Sequence, residues 1–397
     1  MNRIEKIAAL PIVQTVLASF AARQDEFVDA IIAIQQIPAP TCAEATRASY
    51  IESRMQRVGL IDVHQDDFLN VYGRIPGIIP VTNKTLVISA HSDTVFPADT
   101  DLTVSRKGER IYGPGIGDNS TGVAGLLFLA ETIINVKLFS QADIWFVANV
   151  CEEGMGDLRG MRAVVERFGQ QAQYIVVEGG LYGQISHQSI GVRRYRVDVS
   201  TPGGHSWGDF GQPSAIHEIA QLITHLTQLP VPSKPKTTFN IGVVEGGTSV
   251  NTIAQAAHFL LDLRSESAAV LEDLVKQATA VVKTAQTEAR YAGRDVKYVL
   301  RQVGHRPAGA IPRSDPLVQL AQAALHYAGV QRIGYVISST DTNIPLSKGY
   351  SAVCVGLTLA GNAHRLDEFI DPSYLPQGLQ QLLLLTLAAA DYQWHNK

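Results

Sequence analysis

"TLVISAHSDTV" (85–95) decides how the rest of the chain is read. Its first half is apolar and β-branched without polar alternation, the pattern of a strand buried on both faces. Its second half brings His91 and Asp93 to the end of that strand, where Phe96 and Pro97 stop further pairing. Three more runs share the pattern: "DIWFVANV" (143–150), "YIVVEG" (174–179) and "SAVCVGL" (351–357). Helical patterns alternate with them at 121–136, 160–169 and 315–329. The alternation predicts an α/β unit with a mixed, largely parallel sheet and helices on both faces.

Residues 188–305 read differently. "SIGVRRYRVDVSTP" (189–202), "TTFNIGVVEGG" (237–247) and "AHFLLDLRSE" (257–266) alternate as half-exposed strands do. Helices fit 214–229 and 271–289, and "VKYVLRQVG" (296–304) closes the segment. Strand, helix, two strands, helix, strand is the order of a small two-layer α+β sandwich. The expected organisation is one unit from 1–187 and 306–397, with 188–305 inserted into it.

The chain has 397 residues, 46% hydrophobic and 18% charged, and a net charge of −4. Nothing in that balance calls for nucleic acid or an anionic membrane as partner. Cys42, Cys151 and Cys354 form no CxxC pattern and no disulfide framework, which favours a reducing, cytoplasmic compartment. The amino-terminal "IAALPIVQTVLASFAAR" (7–23) is broken by Gln14 and Thr15 and reads as an amphipathic helix rather than a signal peptide.

The chemistry lies at the strand ends. In a strand, residues i and i+2 share a face, so His91 and Asp93 would sit side by side at the carboxyl edge where open α/β sheets build their sites. A lone His-x-Asp is more often just a hydrogen-bonded pair. In "GPGIGDNSTGVAGL" (113–126) the glycines suggest a phosphate loop, yet Asp118 stands where the phosphate would sit, and a carboxylate there attracts a cation instead. The plain alternative is a helix N-cap. "VANVCEEGMGDLRG" (147–160) ends a buried run on Glu152 and Glu153, which are costly to bury unless paired or bound to metal. Glu178 ends another run, and His364 follows the last one. Together His91, Asp118, Glu153, Glu178 and His364 have the imidazole and oxygen mix that suits zinc, cobalt or manganese. With Asp118 shared, two ions would each have one histidine and one further carboxylate, leaving positions open for water and substrate.

The ordered set "HSDTV", "GIGDNSTGVAGL", "CEEGMGDLRG", "VEGG", "TPGGHSWGDFGQPSAI", "GGTSVNTIA" and "STDTNIPLSKGYSAVCVGL…AHRLDEF" resembles the co-catalytic two-metal metallopeptidase family of peptidase T, aminoacylase, succinyl-diaminopimelate desuccinylase and glutamate carboxypeptidase. The resemblance runs from about residue 25 to the end and is nearest to the peptidase T-like branch. It implies His91, Asp118, Glu153, Glu178 and His364 as ligands of two divalent ions, most readily zinc. It implies Asp93 as the partner that orients His91, and Glu152 as the general base that takes a proton from a metal-bridging water to give the attacking hydroxide. The insert would be a lid that also supports a homodimer. His205 would polarise the scissile carbonyl in its own or a partner's site, and Asn251 would bind substrate. Gly203 and Gly204 permit the turn that exposes His205. His64, His187, His217, His225, His258, His305, His326 and His395 lack such settings and read as surface or packing residues.

Two features bear on substrate. Within the family, a glutamate at the Glu178 position is commoner in carboxypeptidases and deacylases. Asn343, however, falls where several of those enzymes carry an arginine for the substrate carboxylate, and losing that bidentate clamp weakens the carboxylate reading. Arg193, Arg264, Arg306 and Arg365 are the candidate substitutes. The favoured expectation is hydrolysis of short peptides, with N-acyl amino acid amidohydrolase or carboxypeptidase as the alternative. A non-catalytic binding protein on this scaffold should have lost Glu152 or a ligand, and this chain keeps them all. A nucleotide-binding loop fails on Asp118 and on the missing lysine.

Overall fold

The computed structural model describes residues 1–78 and 84–392, so His395 lies outside the described residues. The chain divides into two compact units, Met1–Ser189 with Gly309–Lys397, and Ile190–Ala308.

The first unit is built on a nine-stranded sheet among the described residues. Its centre is four mutually parallel strands in the order Asp143–Asn149, Thr85–His91, Ala172–Glu178 and Ala352–Gly356. These are the four apolar runs of the sequence, and consecutive positions along each are buried, as strands covered on both faces require. The parallel character is confined mainly to this centre. Val71–Ile75 joins Asp143–Asn149 antiparallel, and Gln184–Ser189 joins Ala352–Gly356 antiparallel.

The helix Thr121–Val136 packs on Thr85–His91 and Ala172–Glu178. The stretch Ile116–Val136 is long and apolar enough to cross a membrane, but 78% of its apolar window is buried, as in a core helix. The amino-terminal segment forms two helices rather than the single one expected, Arg3–Ala8 and Pro11–Ala22. Pro11 has no N–H to continue the first and is well placed to start the second. Ile4, Ile7, Val13, Val16, Leu17 and Phe20 from both enter the core.

A second sheet, absent from the sequence expectation, pairs Leu359–Gly361 with Phe369–Asp371 and then Arg110–Tyr112 with Ser105–Lys107. The loop between its first two strands carries His364.

The unit Ile190–Ala308 has a four-stranded antiparallel sheet in the order Thr237–Gly246, Ala256–Ser265, Gly191–Ser200 and Lys297–Arg306. Ala256–Ser265 alternates strictly between buried and less buried positions, and Phe259, Leu261 and Leu263 share a core with Leu222 of Ala215–Leu226 and Leu274 of Ala268–Tyr291. A small ribbon pairs Gly204–His205 with Thr252–Ile253.

Candidate metal centre

Three of the four strands of the parallel centre deliver a ligand candidate at or just beyond the carboxyl end, while His364 lies in the loop between Leu359–Gly361 and Phe369–Asp371. His91 is the last residue of Thr85–His91 and Glu178 the last of Ala172–Glu178. Glu152 and Glu153 follow Asp143–Asn149, and Asp118 lies on the turn before the Thr121–Val136 helix.

The structure brings all five candidates together around Asp118. One oxygen of its carboxylate, Oδ1, is 3.1 Å from His91 Nε2, and the other, Oδ2, is 3.2 Å from His364 Nε2. His91 Nε2 also stands 3.6 Å from Glu178 Oε2, and His364 Nε2 stands 3.1 Å from Glu153 Oε1. Two clusters result, His91–Asp118–Glu178 and His364–Asp118–Glu153, sharing one carboxylate. One donor atom each from His91, Asp118 and Glu153 fall within 4.8 Å of one another.

The electrostatics fit cations at this place. Three carboxylates crowd two imidazoles at an edge where His91 is buried, Asp118 half-buried and His364 exposed. Burial works against a charge on His91, yet Asp118, Asp93 and Glu178 outweigh it and hold its pKa well above the ordinary imidazole value. His364 is pushed up to about 10 by its hydrogen bonds to Asp118 and Glu153. Burial lifts Glu178 to about 7, helped by the charges of Asp118 and Asp341 and opposed by His91. Burial works in the same direction on Asp118, but His364 and His91 overcome it and hold that carboxyl well below its usual range. Positive charge on the imidazoles offsets the carboxylates, a balance that divalent cations held by these residues would also provide. The residues present fit a two-metal group.

The loops are joined by side chains that the sequence did not single out. Glu368 accepts hydrogen bonds from the backbone N–H groups of Gly115, Gly117 and Asp118, at 3.2, 2.7 and 2.8 Å, and so fixes the turn that presents Asp118. Asn119 ties that turn to the Glu178 strand, accepting from Gly179 N at 2.8 Å and donating to Val177 O at 2.9 Å. The approach is so close that a Cβ on Gly179 would lie 2.0 Å from Gly117 O, which is why a glycine follows Glu178. Residue type gives no signal for Glu368, whose role is to receive backbone donors. Asn119, beside Asp118 in "GDNS", is at least next to a recognised motif. Asp118 does not cap the following helix, and no side-chain cap is present at Ser120.

Asp93 differs in detail from its expected role. The strand stops at His91, so the same-face rule does not extend to Asp93. Its carboxylate is 3.6 Å from His91 Nδ1, an electrostatic contact too long for a hydrogen bond, while its carbonyl oxygen is 3.2 Å from that nitrogen. The carboxylate instead accepts from Glu152 N at 2.9 Å and Glu153 N at 3.0 Å. One buried anion thereby positions the histidine and the two glutamates in register.

Asn343 also departs from expectation. It is fully buried and its Oδ1 accepts from Thr340 N at 2.9 Å, so it presents no surface to substrate. Of the substitute arginines, Arg193 pairs with Glu272, Arg264 with Asp262 and Arg365 with Asp367, while Arg306 is buried. In the Ile190–Ala308 unit, His205 is exposed on its ribbon. Its Nδ1 accepts from Trp207 N and Gly208 N at 3.2 and 3.3 Å, which leaves the proton on Nε2. Asn251 is exposed, with its Oδ1 accepting from Ser249.

The profile of peptidase family M20/M25/M40 matches residues 87–388. The chain belongs to this family. An M20 domain-containing protein of Schizosaccharomyces pombe is 27% identical over 222 residues, a match spanning 53% of this chain and 52% of the relative's length. The fold is shared with a tripeptidase of Staphylococcus aureus, at TM-score 0.77 and 20% identity over 92% of this chain and 98% of that one. It is also shared with human carnosine dipeptidase 1, at TM-score 0.72 and 15% identity over 95% of this chain and 99% of that one. The M20 chain is thus a peptidase-family enzyme with an α/β unit and an inserted α+β unit.

Proposed function

We propose that this M20 enzyme hydrolyses the peptide bonds of short peptides at a centre holding two divalent cations, most readily zinc. The observation that carries the reading is the shared Asp118, with His91 and Glu178 on one side and His364 and Glu153 on the other, Glu152 being the chain neighbour of Glu153. When bound, the cations supply Lewis acidity, which acidifies water toward a pKa of ~7 and polarises a carbonyl.

The chain's own residues do the rest. Glu152 takes the proton of the attacking water and passes it to the leaving amine, acting as base and then as acid. Asp93 holds that glutamate through its backbone N–H. His205 carries its proton on Nε2 and so serves as a donor to the oxygen of the scissile carbonyl, in its own or a partner's site, with Asn251 as a further substrate contact. The peptide reading is favoured over a carboxylate-clamping one because Asn343 is inward-facing and three of the four candidate arginines are paired with acids.

A homodimer through the inserted unit fits its exposed edge strand Thr237–Gly246, where Val243 and Val244 are 37% and 55% exposed. An N-acyl amino acid amidohydrolase remains the second reading, on the glutamate at position 178. The test is a panel of di- and tripeptides and N-acyl amino acids with zinc, cobalt and manganese, before and after chelation. Chelator-sensitive cleavage of peptides is expected. Cleavage of N-acyl amino acids alone would shift the reading to the deacylase, and no metal-dependent hydrolysis of any substrate would sink it.

A further inference from the structure

Cys42 and Cys151 are far apart in sequence, and their spacing led to an expectation of no disulfide. In the fold their Sγ atoms lie 3.2 Å apart, both as free thiols. The approach is built by surrounding groups. Oε1 of the buried Glu44 accepts from Cys42 N at 2.8 Å and from Cys151 N at 3.0 Å, clamping the two backbones to one carboxylate oxygen. The Arg159 guanidinium donates to Cys42 Sγ and holds it in place. The segment before Cys42 is itself strapped to the His91 loop by Thr41 N bonding Thr94 O at 3.2 Å, and it packs against Gly156, where a Cβ would meet Thr41 at 2.7 Å. Cys42 is exposed to reagents, whereas Cys151 is buried immediately before Glu152.

We propose that Cys42 and Cys151 form a peroxide-sensitive modification site that closes to a reversible disulfide beside the Glu152–Glu153 turn. The chemistry balances in two steps. The Cys42 sulfur attacks hydrogen peroxide, the O–O bond breaks, and a sulfenic acid and one water result. The Cys151 sulfur then attacks the Cys42 sulfur, the S–S bond forms, and the S–O bond breaks with release of a second water. Two electrons pass from the thiols to the peroxide, and a dithiol reductant returns them. In a reducing compartment such a bond is transient, as a regulatory disulfide is.

The consequence for activity rests on the proposed hydrolase reading. Bonded sulfurs stand ~2.0 Å apart, so closure draws Cys151 by up to about an ångström, and a displacement of that size at a catalytic group costs on the order of 100-fold in rate. The residue displaced is the neighbour of the proposed base.

The experiment uses the full, metal-loaded chain treated with hydrogen peroxide, alkylated and mapped without reduction. Free thiols are expected to fall from three to one, with a single linked peptide pair containing Cys42 and Cys151, and dithiothreitol should restore all three. The variant Cys42→Ser should form no such link and should keep its untreated hydrolysis. Three thiols remaining, a link to Cys354, or oxidation that stops at Cys42 would each overturn the proposal. In the same samples, hydrolysis of a tripeptide should fall tenfold or more on closure and recover on reduction, and unchanged turnover by fully linked protein would overturn control of the site. An untreated enzyme without chelator-sensitive hydrolysis would count against the hydrolase reading alone, since the thiol map decides the pair without it.

Discussion

Replacing Asp93 by asparagine tests whether one buried carboxylate holds the site in register. Asp93 is fully buried, and each of its oxygens accepts a backbone N–H, from Glu152 at 2.9 Å and Glu153 at 3.0 Å. Asparagine preserves the volume but turns one oxygen into an NH2 group, so one of the two backbone donors faces another donor. A hydrogen bond to a charged group contributes roughly 1.5–3 kcal/mol, and the orphaned buried N–H costs about 1–3 kcal/mol more. The negative charge beside the His91 ring is lost as well, 3.6 Å from Nδ1. If about 1.4 kcal/mol of this total reaches the metal equilibrium, affinity falls tenfold, and a turn displaced by an ångström costs turnover on the order of 100-fold. The assay is a chelator-competition titration of zinc affinity together with kcat for a tripeptide. Asp93→Asn with wild-type affinity and wild-type kcat would refute the reasoning.

Other predictions follow from the same contacts. Glu152→Gln should lower kcat by at least 1,000-fold while metal content stays unchanged, which elemental analysis and single-turnover kinetics can check; near-normal turnover would exclude Glu152 as the base. On the proposed ligand assignment the His364 proton, held to about 10, has to leave before a cation binds, and the raised His91 proton likewise. In the metal-free chain the His364 proton therefore stabilises the fold fully below the unfolded pKa of 6.5, and this stabilisation is lost as pH rises toward 10. Metal binding gains ~1.4 kcal/mol per pH unit for each proton displaced. The Tm difference between metal-loaded and metal-free protein should accordingly widen from pH 6 to pH 9, and a gap that narrows would contradict the assignment. Gly179→Ala places a methyl group against Gly117 O and should separate the Asp118 and Glu178 loops, lowering both zinc affinity and Tm. An alanine variant with unaltered affinity would remove the close approach from the account.

The parallel centre was legible because strands buried on both faces leave apolar runs that no other element explains. His91, Glu153 and Glu178 stood out as ligand candidates because carboxylates and imidazoles at the ends of such runs are costly without a partner, whereas Asp118 stood out by its glycine-rich turn and His364 by its place after the last run. What the sequence could not show was the wiring between loops. Glu368 bonds backbone groups 250 residues away, at Asp118, and a backbone acceptor imposes no pattern on either segment. The contact of Cys42 with Cys151 spans 109 residues and depends on Glu44, which reads as an ordinary polar residue near a helix start. Asp93 was legible as important but its main partners were not, because the i and i+2 rule ends where the strand ends. Asn343 was placed by resemblance at a substrate-facing position, whereas an amide at the start of the short helix Asn343–Ser347 can satisfy the turn before it instead.

The central claim is that Asp118 is shared between two cations. Anomalous diffraction from crystals of the zinc-saturated chain tests it directly. The account predicts two anomalous peaks, one between His91 and Glu178 and one between His364 and Glu153, each in contact with a different oxygen of Asp118. A single peak, or a pair of peaks that leaves Asp118 uncoordinated, would contradict it.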